Sequence, residues 1–430
     1  MSAEGSNNEP LRVRCCIVGG GPAGMMLGFL FARASIDVVV LEKHADFFRD
    51  FRGDTIHPST LEIMHELGLL QEFLDLPHQE LGRLGGQIGD ASFTAADFSH
   101  LRTRCKFIAL MPQWDFLNFL AAHAKRYSTF RLLMNAEAAG LLRDGERVAG
   151  VRANTPQGTV DVTADLVIGA DGRHSSVREE ADLKAIDFGA PMDVLWMRIS
   201  STASEPAQIL GRIDAGRILV MLNRGDYWQC GLVIAKGAFD QVRQKGLPAL
   251  REDMRALAPF LDGRVQELKD WNDIKLLTVK VDRLRRWYQP GLLCIGDAAH
   301  AMSPVGGVGI NLAIQDAVAA ANILAAPLQR CALTVDTLAR VQRRRELPTR
   351  MTQALQVFLQ NRIITGVLSS SGRLSMPLAL RLLNRWRSLQ AIPAFVVGIG
   401  FRPEHVRSAA APAAQDLDNA NARAASGHAV

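Results

Sequence analysis

A chain of 430 residues is too long for one hydrophobic core, so two joined domains with an extension are expected. Apolar residues at 48% and charged residues at 22% are the balance of a globular enzyme and exclude a disordered chain. The formal charge of +5 is spread rather than gathered into a tail, which excludes an obvious nucleic-acid arm.

Residues 1–10 are polar and lack the apolar run of a secretory leader, and no apolar run reaches the ~20 residues of a bilayer span. Together with six scattered cysteines and no C-x-x-C pair, this reads as a cytoplasmic protein with reduced, buried thiols and no metal site. Residues 13–18 (VRCCIV) predict a buried strand, 22–34 an apolar helix and 37–41 a second strand, the start of a βαβ unit. The spacing of Leu61, Met64, Leu67 and Leu70 predicts a helix over 54–76. Loops and strands are expected over 80–110, a helix over 113–126, and strands over 131–169 ending in DLVIGA. Short alternating runs from 183 to 281 predict antiparallel strands. Residues 292–296 return to the buried strand type, 311–325 read as an apolar helix, and 336–402 as further helices rich in arginine. From Arg402 the composition predicts a disordered tail.

Three motifs carry chemistry. Gly19-Gly20-Gly21-Pro22-Ala23-Gly24 is a G-x-G-x-x-G turn between a strand and a helix. Gly19 permits the tight turn, Gly21 lets backbone approach a pyrophosphate, and Gly24 lets helix pack on strand. The helix N-terminus behind Pro22 and Ala23 offers free N–H groups to phosphate. Glu42 ends the second strand, where a carboxylate can accept ribose hydroxyls. This motif alone does not choose between FAD and NAD. The second motif is Gly169-Ala170-Asp171-Gly172, and the third runs from Gly296-Asp297 through Pro304, Gly307 and Gly309 to Ile310 and Asn311. An Asp at a strand end can accept bonds from a sugar alcohol, and a helix start near Ile310 would stabilise negative charge on a flat ring.

In these three motifs, GGGPAG with Glu42, ADGRHSSVR and GDAAHAMSPVGGVGIN, the sequence resembles the class A FAD-dependent monooxygenases typified by p-hydroxybenzoate hydroxylase. The resemblance spans about 11–330. It implies an α/β fold with a Rossmann-like FAD-binding domain (11–80, 111–182 and 285–335), an inserted antiparallel-sheet substrate domain (81–110 and 183–284), and a C-terminal helical region (336–402) before the tail at 403–430. It implies FAD held non-covalently, with Glu42 at the adenosine ribose, Lys43 next to it among the cofactor-binding residues, Asp297 at the ribityl chain, and backbone at Gly309, Ile310 and Asn311 at the isoalloxazine. Asp171 would serve both FAD and NAD(P)H, while Arg52 and Gln113 resemble family positions that contact FAD. NAD(P)H would dock transiently, and a C4a-hydroperoxyflavin would pass one oxygen atom from O2 to an aromatic or conjugated substrate.

No substrate-activating base is identifiable. Only Tyr227 of the three tyrosines falls in the expected substrate sheet, and Trp196, Trp228 and Trp271 read first as core. The absence of a charge cluster in that region motivates a bulky, apolar substrate. A W-x-W-x-I-P segment is absent, against a flavin halogenase. A related reductase or dehydrogenase without oxygen insertion, and a non-catalytic flavoprotein binding a ligand or partner, stay open. The basic stretch 377–400 reads first as arginine stems packed over a core, with a membrane-surface helix as the second reading.

Overall fold

The computed structural model describes residues 10–48, 55–202, 211–370, 372 and 374–410. The main sheet grows from strands that are apolar on both faces, as parallel strands covered by helices must be. In chain order the strands of this sheet include β1 (Leu11–Val18), β2 (Val38–Glu42), β3 (Phe130–Met134), the more exposed β4 (Glu137–Asp144) and β5 (Arg147–Thr155), β6 (Gly158–Gly169) and β7 (Leu292–Cys294). The order β7-β6-β1-β2-β3 is parallel throughout, and β4 and β5 add to β6 as an antiparallel meander. Register places Leu41, Val18, Gly169 and Cys294 in one row across the sheet. The row continues into the loops: Gly19 N–H donates to Leu41 O (2.8 Å), Ala170 N–H to Val18 O (2.8 Å) and Ile295 N–H to Gly169 O (2.9 Å).

Helix α1 (Pro22–Arg33) follows β1, with Pro22 at its first position where no N–H is needed. It packs against α3 (Gln113–Ala124) and α4 (Gly309–Gln329). The stretch Val305–Gln329 is long and apolar enough to cross a membrane, but two thirds of its apolar 18-residue window is buried inside the protein, where its apolarity serves packing. The expected helix over 54–76 is two: α2 (Pro58–Glu66) and a short turn Leu70–Leu74. Gly68 lies between them at φ +74°, a left-handed residue that ends helices, so the apolar spacing ran through a break.

A second, seven-stranded sheet has the order 275–277, 192–200, 227–235, 217–223, 211–214, 83–88 and 91–97. The parallel pairing of Arg212 with Gln87 joins the 83–97 hairpin to the later strands. Its outer face carries Leu195, Met197 and Trp228 under the helix Leu247–Leu257. Its inner face carries Val194, Ile218 and Val233, packed with Val305 of the third motif.

Helix α5 (Val335–Leu359) continues through a short π-turn at Gln360–Ile364, and α6 (Leu378–Arg385) and α7 (Ala391–Gly398) follow. Residues 403–410 depart from the expected disorder. Glu404 is buried, Val406 N–H donates to Glu66 (2.7 Å), and Arg407 and Ser408 N–H donate to Asn322 (2.8 and 3.0 Å). Distant carboxylate and amide acceptors hold this backbone, which its local composition does not reveal; residues 411–430 lie outside the described residues. Five cysteines are buried, and burial pushes the Cys230 thiol up to about 12. Cys331 is exposed beside Arg14.

The glycines of the first turn differ in what surrounds them. A Cβ on Gly24 would stand 2.0 Å from Gly19 O, while one on Gly21 would meet nothing within 4 Å. Gly24→Ala should therefore lower unfolding free energy by roughly 3 kcal/mol in a urea titration, and Gly21→Ala by less than about 1 kcal/mol.

Candidate functional site

The parallel strand ends bring the three motifs to one rim of the sheet. Gly19 takes φ +106°, and a Cβ there would lie 2.4 Å from Ala170 O, so the first and second motifs touch only because Gly19 has no side chain. No side chain caps the N-terminus of α1, and the space in front of Gly21 is open. Glu42 braces this turn from the next strand: one carboxylate oxygen accepts Gly20 N–H (2.9 Å) and the other His44 N–H (3.1 Å). Lys43 beside it is exposed. Arg52 lies outside the described residues.

Asp171 closes its own loop. Its carboxylate accepts the Ser175 hydroxyl (2.5 Å), the Ser176 hydroxyl (3.3 Å) and Val177 N–H (3.2 Å). Burial raises its pKa against the pull of those bonds. Its lone pairs are thus engaged within the motif, and it shapes the loop rather than presenting a free carboxylate. Arg173 reaches from this loop toward the third motif, with its guanidinium 3.7 Å from Asp297. Asp297 itself keeps about a third of its side chain exposed (32%).

The third motif is held from three sides. Gly296 takes φ +58°, and a Cβ there would crowd Ala23 of α1 and Ala313 of α4 at 3.1 and 3.2 Å. The Thr55 hydroxyl donates to Gly307 O (2.9 Å). Asn311 accepts His57 N–H (2.9 Å) and the Thr60 hydroxyl (2.8 Å), and donates to Thr55 O (3.0 Å). Its side chain is therefore a staple between loops, leaving only its backbone for a ligand. Pro304 and Ile310 flank this loop half-buried, and Gln113 opens α3 after a strand residue, Leu110, that pairs with Thr55.

Several residues of this assembly escape the sequence reading. Gln353 donates to Asp282 O (2.7 Å) and Ala301 O (3.1 Å), and Gln356 donates to Ser303 O (3.0 Å) and Val305 O (2.9 Å). Gln360 donates to the Ser303 hydroxyl. Behind the loop lies a buried charge network. Asp316 accepts His300 Nε2–H (2.5 Å), Gly296 N–H (3.0 Å) and Arg345 Nε–H (2.9 Å), and Arg345 reaches Glu404 (3.4 Å). Burial works to raise the Asp316 pKa, but the charges and bonds of His300 and Arg345 outweigh it and hold the carboxyl below its usual range. One signal was available: an acid inside the apolar helix GINLAIQDAVAAA needs a buried partner. The partner, Arg345, is 29 residues away and gave none.

On the substrate side, the Trp196 ring lies against Gly231, where a Cβ would stand 2.8 Å from it, so the indole paves the inner face of the second sheet. Trp228 and Trp271 belong to the outer core, against Phe260 and Phe239. Tyr227 stacks under Arg198 (3.7 Å).

These features fit a dinucleotide carrying a flat ring system. There is open space before Gly21, an uncapped helix end, a partly exposed acid at the third strand end, and a glycine-lined loop leading into α4.

Comparison with known proteins agrees. A family model described as an FAD binding domain matches residues 12–354. The 6-methylpretetramide 4-monooxygenase of Streptomyces rimosus is 31% identical over 381 residues, covering 88% of this chain and 90% of that protein. A rifampicin monooxygenase of Streptomyces venezuelae is 29% identical over 320 residues, covering 70% of this chain and 61% of its own length. The fold is shared with p-nitrophenol 4-monooxygenase PnpA of Pseudomonas putida (TM-score 0.71, 18% identity, 90% of this chain and 94% of that one). It is also shared with PqsL of Pseudomonas aeruginosa, a probable FAD-dependent monooxygenase (TM-score 0.70, 20% identity, 89% and 99%).

His57 joins this site to the C-terminal helices through its Nδ1, 2.7 Å from Val397 O. Burial pushes its pKa down from 6.5 to about 4, despite that bond. The unfolded chain then binds the extra proton between these values. The His57 contribution is complete above pH 6.5 and is lost as pH falls toward 4, amounting to roughly 3 kcal/mol. Urea titrations across that window should show the loss, and His57→Gln should flatten it; equal slopes in both proteins would contradict the assignment.

Proposed function

The chain belongs to the family of FAD-dependent aromatic monooxygenases of the p-hydroxybenzoate hydroxylase type, and we propose on that premise that it uses NADH or NADPH and O2 to hydroxylate or epoxidise a bulky, apolar aromatic or conjugated substrate. The observation that carries this reading is the row Leu41, Val18, Gly169 and Cys294, which sets the three motif loops side by side at one rim. Loops so placed suit one extended molecule better than three separate small ones.

The chain's residues divide the binding work. The α1 N-terminus and Gly21 would take the pyrophosphate, Glu42 the adenosine ribose, Asp297 the ribityl hydroxyls, and the backbone from Gly309 to Asn311 the pyrimidine edge of the ring. Arg173, beside Asp297, would fix the carboxylate's orientation. Bound FAD would supply the redox chemistry, receiving two electrons from the nicotinamide and using them to activate O2. One strand–glycine–helix unit with an acidic partner is read in the chain, which supports a nicotinamide that docks on the surface and leaves. The inner sheet face, with Trp196, Val194, Ile218 and Val233, offers apolar area that orients a flat substrate and excludes water from the reacting atoms. Relatives named for monooxygenation of 6-methylpretetramide and rifampicin support oxygen insertion over plain reduction.

Purified, FAD-loaded protein should oxidise NADH or NADPH faster in the presence of one member of a panel of phenols, quinolones and polycyclic aromatics. The product should gain one oxygen atom by mass. A product differing only in hydrogens would favour the reductase reading instead.

Asp297→Ala should weaken FAD binding roughly 10-fold or more, since it removes a charged acceptor. Gly21→Val should do the same by filling the open space. Flavin absorbance equal to wild type in both purified variants would overturn the site.

A further inference from the structure

The second half of helix α5 is amphipathic in the reverse sense. Leu338 and Val341 of its first half join the apolar core, but from Thr349 the buried face is polar: Thr349, Gln353 and Gln356 are sealed inside, and the glutamines bond loop carbonyls. At about 100° per residue, the opposite face gathers Leu347, Met351, Leu355 and Phe358 within an arc of about 80°. All four are exposed, Phe358 by 57%. Helix α6 repeats the arrangement. Asn384 faces the body, donating to Ser92 O (3.0 Å) and accepting Thr94 N–H (2.9 Å) at the edge of the 91–97 strand. Leu378 and Leu382 point away, and Leu378 is 69% exposed. This helix buries no residue, so its arginines do not cover a core beneath it as the first reading of 377–400 expected, whereas α7 of the same stretch buries Ala394 and Gly398. Of the sixteen large apolar side chains left exposed among the described residues, eleven lie between 347 and 395. Such a concentration is not the scatter of an ordinary surface.

Charge says what covers it. From Leu347 to Pro403 the chain has no acid and seven arginines. The apolar stripe of α5 is flanked by exposed Arg340, Arg350 and Arg362, and that of α6 by Arg381 and Arg385. A symmetric contact with a second copy would set arginine against arginine. Residues 411–430 offer only Leu417 and Val430 as large apolar groups, too few to cover eleven. We propose that the α5 and α6 stripes dock together on an anionic lipid surface, with the leucine, phenylalanine and tryptophan side chains in the interface and the arginines at the phosphates.

Flotation of the full, FAD-loaded chain tests this without any turnover, so its outcome is independent of the reaction assigned above. Vesicles of phosphatidylcholine are compared with vesicles of equal parts phosphatidylcholine and phosphatidylglycerol. Binding to the anionic vesicles should exceed binding to neutral ones roughly 10-fold at about 50 mM salt, and fall at about 500 mM. Arg381→Gln with Arg385→Gln, and separately Leu347→Ser with Phe358→Ser, should each lower it roughly 10-fold while flavin absorbance, the check on folding, stays unchanged. Absence of flotation, equal binding to both vesicles, or a salt-resistant dimer that the Leu347 and Phe358 changes convert to monomer would each overturn the proposal.

Discussion

The structure depends on a register. Four parallel strands end on one line, and three backbone bonds carry that line past the strand ends into the loops. A slip of one residue in β6 would turn its side chains to the other face and move Asp171 and its loop away from Gly19. The buried runs CCIV, VVVL and LVIG resist the slip because both faces of each strand are covered. The loops can thus be rich in glycine and still hold a defined shape, since the strands rather than the loop residues set their positions.

Gly19, Gly24 and Gly296 were legible in the sequence because each answers a steric demand that no other residue meets. The first and third have positive φ, and all three lie where a Cβ would press on a neighbour. The strands around them were legible for a similar reason, since two-sided burial imposes a continuous apolar run. What was hidden is long-range and polar. Nothing near Gln353 or Gln356 announces that their partners are carbonyls some fifty or seventy residues earlier. The break at Gly68 was masked by an apolar spacing that runs across it. The order of 403–410 rests on Glu66, Asn322 and Gln315, none of them local.

The acids near the rim behave differently although their sequence settings look alike. Asp171 and Asp297 each follow a strand and a glycine, but Asp171 turns back onto Ser175, Ser176 and Val177, while Asp297 stays partly open. Following Asp171 come two serine hydroxyls and a short helix whose N–H groups need acceptors; following Asp297 come alanines without side-chain donors, and the Ala299 and His300 N–H groups are taken by Gly296 O (both 2.9 Å). Neighbouring donors decide which carboxylate is consumed by the fold and which is left for a ligand.

Strand pairing stops at Ala301, whose carbonyl accepts Asp282 N–H (3.3 Å), and from there to Val305 the carbonyls lean on the side-chain amides of Gln353 and Gln356. A strand neighbour would lock every residue of that segment together, whereas separate rungs from a helix can be replaced singly. Drift along one face of α5 could therefore shift the tilt and polarity of the ring pocket by small steps, leaving untouched every residue that grips the nucleotide end.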